Sequence, residues 1–306
     1  MGHAQLAPPL RSRRRGVAVL GAAALLLLAA CAPRDGSAGG GPAGPAAGTP
    51  ATADPSAPAA APDAVVLQVA LIGGYTSVEE LHGRLPEVTV YGDGRVFTQG
   101  PVAAVHPPSA WPDVQVTRLD PGRLPELVDR ALAAGVGEQS GLGPTGVVDA
   151  PSTRFTVQTD GGPVVREVDA LQEGLTSPML TDRQRSARTG LAALAGELTD
   201  LAGVPEGWTP GAVAVLAHPH VAGFLGPDGQ PLHFQDVAWP GPELTGEPLE
   251  GGLTCTVVPA EQVPAVQRAA QGASTLTPWT TPDGARWSLT FRPLLPHESG
   301  CADLTG

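Results

Sequence analysis

The stretch WTTPDGARWSLTF, residues 279–291, sets three bulky apolar side chains, Trp287, Leu289 and Phe291, at alternate positions after an Asp283-Gly284 pair. A period of two places all three on one face of a strand. Asp-Gly accommodates the positive φ that a chain needs where two strands reverse, so the stretch reads as a β-hairpin. The same signature recurs at VTVYGDGRVF (88–97), FTVQTDGGPVV (155–165) and FLGPDGQPLHF (224–234), the last with two prolines beside the turn.

Helical signals lie between these hairpins. Asp120-Pro121 supplies an N-cap and a first-turn proline for a helix running to about Ala134, where Gly135 can end it. Thr181 followed by Gln184 matches a capping box, and Ala187, Leu191, Leu194, Leu198 and Leu201 then recur at helical spacing. A third helix is expected over Ala260 to Gln271, with Pro264 near its first turn. Hairpins mixed with helices, without regular βαβ alternation, give an α+β class: mostly antiparallel hairpins with about three helices, in two packed subdomains. The boundary falls in VPEGWTP (204–210), dividing residues 64–205 from a smaller α+β domain at 206–306.

Composition excludes several chemistries. All 18 basic residues are arginine. A Schiff-base lysine, a Walker P-loop lysine and a Ser-x-x-Lys acylase pair are therefore absent. Four arginines (Arg11, Arg13, Arg14, Arg15) and no acid lie in residues 1–30, so the chain beyond residue 30 carries 14 basic against 30 acidic residues, a formal −16. Such a surface repels phosphate backbones, and no nucleic-acid partner is expected.

The N-terminus reads as an address. Residues 1–15 are basic and 16–30, GVAVLGAAALLLLAA, are apolar and uncharged, the order of a secretory signal peptide. Fifteen helical residues rise only about 22 Å against a hydrocarbon core of roughly 30 Å, which disfavours a permanent span. The run ends Leu28-Ala29-Ala30-Cys31 and resembles the bacterial lipobox. That resemblance implies cleavage between Ala30 and Cys31, acylation of Cys31 and attachment to the outer face of the cell membrane. Two or more acyl chains would make the attachment stable. An ordinary cleaved signal followed by a free thiol is the alternative. Ser12-Arg13-Arg14 partly matches a twin-arginine signal but lacks the following aromatic residue, leaving Sec and twin-arginine export both open.

Residues 32–63 hold almost only Ala, Gly, Pro, Ser and Thr, so with Cys31 they are expected to form a disordered tether of residues 31–63, about 28–34 Å in root-mean-square reach. With Cys31 anchored, Cys255 and Cys301 remain as a pair, and an extracytoplasmic pair is expected to be a disulfide rather than two buried thiols.

The run Tyr91-Gly92-Asp93-Gly94-Arg95-Val96, the segment Asp149 to Thr153, and Arg292 to Pro296 with Glu298 and Cys301 resemble a group of uncharacterised secreted or lipid-anchored actinobacterial proteins. The resemblance implies location and a shared fold over most of residues 65–301. It assigns no catalytic residue.

Candidate chemistry is sparse. His218 and His220 stand two residues apart, with His106, His233 or an acidic residue as completing ligands for a metal; surface histidines are the simpler reading, with Pro219 confining the segment to an edge or turn. Gly141 to Gly146 fits G-x-G-x-x-G but follows a helix instead of a strand, so it reads as a glycine-rich connection. No G-x-S-x-G elbow occurs, and Glu79, Glu80, Glu243, Glu247 and Glu250 read as solvated acids. No cofactor is expected. Five tryptophans could present stacking faces to a sugar or peptide, with Trp239 and Trp279 as candidate ligand contacts. Together these features predict a non-catalytic binding or interaction module with an envelope or protein partner. An extracytoplasmic hydrolase acting on envelope material is the alternative, and it needs carboxylates or histidines converging in a cleft.

Overall fold

The computed structural model describes residues 61–304 except 202, 224, 227, 228 and 231. The expected signal segment, the lipidation site Ala30-Cys31 and the tether up to residue 60 lie outside the described residues. The described chain belongs to a compact unit, Pro55–Gly306, and contains four helices and twelve strands in two sheets, an α+β fold.

The first half opens with β1 (Val65–Ile72), the short helix α1 (Val78–Gly83) and the hairpin β2 (Val88–Tyr91) and β3 (Arg95–Gln99). After β4 (Val114–Arg118) come α2 (Leu124–Ala133), the hairpin β5 (Ser152–Thr159) and β6 (Gly162–Asp169), and α3 (Asp182–Thr199). The strands form one antiparallel sheet in the order β4-β3-β2-β1-β5-β6. Its inner face, with Leu67, Val69, Val90, Phe155 and Val157, packs on Leu127 and Ala131 of α2 and Leu191, Leu194 and Leu198 of α3. Burial of such side chains at about 25 cal/mol per Å² supplies the main driving force for this layer.

The second half contains β7 (Ala212–Pro219), β8 (Val237–Ala238), β9 (Glu247–Pro248), β10 (Thr254–Pro259), α4 (Val263–Gln271), β11 (Trp279–Thr280) and β12 (Arg286–Pro293). These strands lie in the order β8-β11-β12-β7-β10-β9, antiparallel except for the β8–β11 pair. One face buries Val213, Val215, Leu289 and Phe291 against Val263, Val266 and Ala270 on and beside α4. The other buries Leu216 and Cys255 under the tail that follows β12. Cys255 and Cys301 are joined by a disulfide with a Cα–Cα distance of 6.0 Å.

Three of the four expected hairpins form, each with a left-handed glycine after the reversal. Gly94 N–H donates to Tyr91 O at 3.0 Å and Gly284 N–H to Thr281 O at 2.9 Å, and both glycines have φ of +83°. In the β5–β6 turn the positive φ, +106°, falls on Gly162 rather than Gly161. The aspartates keep negative φ; Asp93 and Asp283 instead accept from the backbone N–H groups of Arg95 and Ala285. Gly94 is fixed for a second reason: a Cβ there would stand 2.3 Å from the Leu119 carbonyl oxygen.

The fourth expected hairpin lies partly outside the described residues, which leave out Phe224, Pro227, Asp228 and Pro231. Beside them, Gly226 N–H donates to Gln230 O at 2.8 Å and Gly229 N–H to Gly226 O at 2.9 Å. Pro227 and Pro231 remove two donors that a ladder there would need.

The capping box on α3 is present, with Thr181 and Gln184 each accepting from the other's backbone N–H. One residue on its buried face escaped the apolar pattern. Arg188 is 1% exposed and donates to the carbonyls of Leu142, Gly143, Asp169 and Ala170 at 2.9 to 3.3 Å. The glycine-rich run 141–146 therefore wraps a guanidinium of this chain. The third expected helix starts at Val263, three residues later than its sequence suggested.

Candidate functional site at the seam of the two halves

The outer face of the first sheet changes character across its width. Toward β4 it presents Val114, Val116, Phe97 and Tyr91, which join Leu85, Trp208 and Leu295 in one apolar cluster. Toward β5 it presents Gln68, Thr156 and Arg154, with Gln68 beside Thr156 and Ala70 beside Arg154 in the ladder. Against this face lie two irregular segments: the turn after α1, with Arg84 and Leu85, and the tail after β12. α1 itself packs on the second sheet, where a Cβ on Gly83 would meet the Thr290 methyl at 2.7 Å. Ser77 caps it by accepting from Glu80 N–H, an S-x-x-E pattern that sequence reading passed over because the helix has only six residues.

Two features meet at this seam. The first is a charged lock. Arg292, 3% exposed at its side chain, forms a bidentate pair with Glu298, 6% exposed, at 2.7 and 3.0 Å. Arg292 also donates to Arg84 O at 3.1 Å and Pro293 O at 2.6 Å, and Glu298 accepts from Leu295 N–H at 2.7 Å. Beside it, Tyr91 Oη lies 2.7 Å from His297 Nδ1. Burial, reinforced by Glu298, pushes the Tyr91 phenol far above its ordinary value, so it stays neutral. Burial also holds His297 below the usual imidazole range, with Arg292 acting the same way and Glu298 and Asp303 opposing. A cavity of about 150 Å³ opens here, lined by Gln68, Arg84, Arg154, Thr156, Arg292 and His297 among others.

The second feature is a groove of about 680 Å³ farther along the seam, lined by the β3–β4 loop, the connector at 205–210, α4 residues Gln267 and Gln271, and Pro293. The loop is held to the second half by Ala110 N–H donating to Ala273 O and Thr275 N–H donating to Pro108 O, both 3.0 Å. Trp111 and Trp208 stand in the groove, each braced by a buried ring: Phe97 lies 5.0 Å from Trp208 and Phe291 lies 6.1 Å from Trp111. Val102 and Val105 also line it and are 72% and 63% exposed. Asp113 at its wall has no cationic partner among the described residues, whereas Glu206 is 3.2 Å from Arg118.

The residues singled out from sequence are placed as follows. Trp239 and Trp279 are interior: they meet edge to face at 5.9 Å, each also contacts Phe291, and the Gly241 backbone covers Trp239. Trp279 is fully buried, whereas Trp239, 6% exposed, borders a cavity of about 400 Å³ together with Trp287. His218 and His220 stand at the end of β7, a central strand that admits Pro219 because it is the last residue. His218 Nε2 lies 3.8 Å from Glu79, while His220 Nδ1 lies 3.0 Å from Ser288 Oγ. His106 and His233 are exposed elsewhere, and no group of three or more metal-ligating side chains occurs among the described residues. Glu243, Glu247 and Glu250 are exposed.

A pH dependence follows from the histidines. Burial lowers His220 as it lowers His297, so below the ordinary value of 6.5 the unfolded chain binds protons that the folded chain refuses. Stability is expected to fall as pH drops from about 7.5 to about 5.5, above the range where carboxylates titrate. Urea unfolding at the two values checks this, with His297→Gln giving a shallower drop. An unchanged slope in that variant would remove His297 as a contributor.

No protein-family model, no curated protein and no solved structure matches this chain.

Proposed function

We propose that this chain is a cell-surface lipoprotein, held to the outer face of the membrane through acyl groups on Cys31, whose folded part is a non-catalytic interaction module. The seam groove takes an extended segment of a protein or envelope partner. The observation that carries the reading is the groove: two braced tryptophans, two exposed valines and several prolines in a concave surface of about 680 Å³. Exposed apolar side chains gathered in a concave surface with polar groups between them are the kind of place where a partner docks. Prolines have no N–H to offer, so an occupant would be held by ring contacts and by the amides of Gln115, Gln267 and Gln271 rather than by a β-ladder. Asp113 and the acidic surface favour a partner segment bearing arginine or lysine.

The competing hydrolase reading would use the small cavity, where His297, Glu298 and Asp303 converge. Glu298 is spent on Arg292 and Leu295, and Asp303 accepts from the Ser299 N–H and hydroxyl and the Gly300 N–H. Neither carboxylate is disposed to act as a general base.

Photo-crosslinking in living cells tests the proposal. A crosslinker at Val102 of the anchored protein is expected to capture a discrete partner that a crosslinker at exposed Val165 does not, and Asp113→Arg is expected to reduce capture at least tenfold. Equal capture from both positions, or capture indifferent to Asp113→Arg, would overturn the groove as the docking site. Cys31→Ser is expected to move the protein from the membrane to the soluble fraction. Retention of that variant in the membrane fraction would sink the anchor separately.

A further inference from the structure

We propose that the small seam cavity is an oxyanion site, taking a phosphate or carboxylate group between Arg84 and Arg154. The argument is a count of donors and acceptors. Each guanidinium carries five N–H donors. Arg292 spends its donors on Glu298, Arg84 O and Pro293 O, so it belongs to the lock. Among the described residues the Arg84 side chain makes one hydrogen bond, to Gly73 O at 3.1 Å, reaches Glu80 only at 3.7 Å and interacts with the Glu87 carboxylate through space. Arg154 uses only Nε, donating to Glu167 at 2.8 Å. Both line the cavity, and most of their donors have no acceptor among the described residues.

The acids of the same wall do not fill that need. Glu298 is chelated by Arg292 and takes the Leu295 N–H; Asp303 takes three donors from Ser299 and Gly300. Two underused guanidiniums therefore line one small polar space in a chain of strongly negative net charge. An anion with paired oxygens would take up those remaining N–H donors, in the geometry that the planar guanidinium fork recognises. Thr156 on the sheet floor adds a hydroxyl, and Gln68, whose Nε2 donates to Thr89 Oγ1 at 3.2 Å, has one amide N–H left. At about 150 Å³ the cavity is below the range of pockets for drug-sized molecules. Its occupant is a small ion or the charged tip of something larger.

The cavity wall draws on β1 and β5 of the first half and on the tail of the second. An occupant would therefore tie the halves together, and folded-state binding raises stability by RT ln(1 + [L]/Kd). This site is separate from the groove, and its test does not depend on a partner protein.

The test uses the mature chain carrying Cys31→Ser, titrated with inorganic phosphate and, separately, with succinate, against chloride at matched ionic strength. Thermal unfolding and calorimetry follow binding. The expected result is a saturable rise in Tm with at least one of the two anions, weakened at least tenfold in affinity by Arg154→Gln and by Arg84→Gln and unchanged by Arg183→Gln on exposed α3. Vesicles containing phosphatidylglycerol form a further arm. Arg154-dependent binding to vesicles would identify a lipid headgroup as the source of the oxyanion; dependence on free anion alone would identify a soluble one. Absence of a saturable effect in all three arms, or an effect that survives both arginine variants, overturns the proposal.

Discussion

A chain carrying Glu298→Ala is expected to lose about 3–5 kcal/mol of unfolding free energy, the range for removing one partner of a buried ion pair. Arg292 and Glu298 are 3% and 6% exposed, so solvent screens their attraction little. Truncating Glu298 leaves a buried guanidinium with carbonyls but no counter-charge, and leaves the Leu295 N–H without its acceptor. The penalty is mainly that of orphaned groups, which is why Glu298→Gln, keeping part of the hydrogen bonding, should cost less. The surface pair Arg130–Glu197, exposed at both side chains, supplies the contrast: Glu197→Ala is expected to cost no more than about 0.5 kcal/mol. Denaturant unfolding of the three variants checks the ordering. A loss below about 1 kcal/mol for Glu298→Ala would mean that the tail is not an integral part of the fold.

Removing the Cys255–Cys301 bridge is expected to cost about 4 kcal/mol, the chain-entropy value for a closed loop of 46 residues. The consequence reaches beyond the second sheet. Cys301 anchors the tail that carries His297 and Glu298, so freeing it loosens the contacts to Tyr91 and Arg292 together with the apolar cluster of Leu216, Leu294 and Leu304. Because bridge and ion pair hold one segment, their losses should not add. The double variant Cys301→Ala/Glu298→Ala is expected to lose at least 1 kcal/mol less than the sum of the single variants, as residues sharing one structural unit do. Full additivity in denaturant unfolding would show that the two act on independent parts of the molecule.

The lock also explains why the candidate sites were hard to read in advance. Arg292 and Glu298 stand in one C-terminal run and Trp111 is followed by a proline, but nothing local indicates what they face. Tyr91 and His297 are 206 positions apart, and Arg292 and Arg84 are separated by 208. Nothing in the residues around Arg84 or Arg154 marks them, since a cavity has no sequence period. Trp239 and Trp279 misled for the reverse reason: an aromatic beside proline looks the same whether its face meets water or another ring.

What the sequence determined alone is whatever depends on a few consecutive residues. Three Asp-Gly hairpins, the capping box at Thr181, the stop at Gly135 and the α+β class follow from backbone geometry and side-chain period, which act within a turn or a strand. Tertiary structure decided what depends on two distant surfaces meeting: the strand order of both sheets, the burial of Arg188 inside a glycine-rich loop, and the seam with its groove and cavity. The reason is energetic. A turn is chosen by steric limits on φ and by hydrogen bonds within reach, whereas a buried charge or an exposed ring is tolerated only according to what the rest of the chain brings against it.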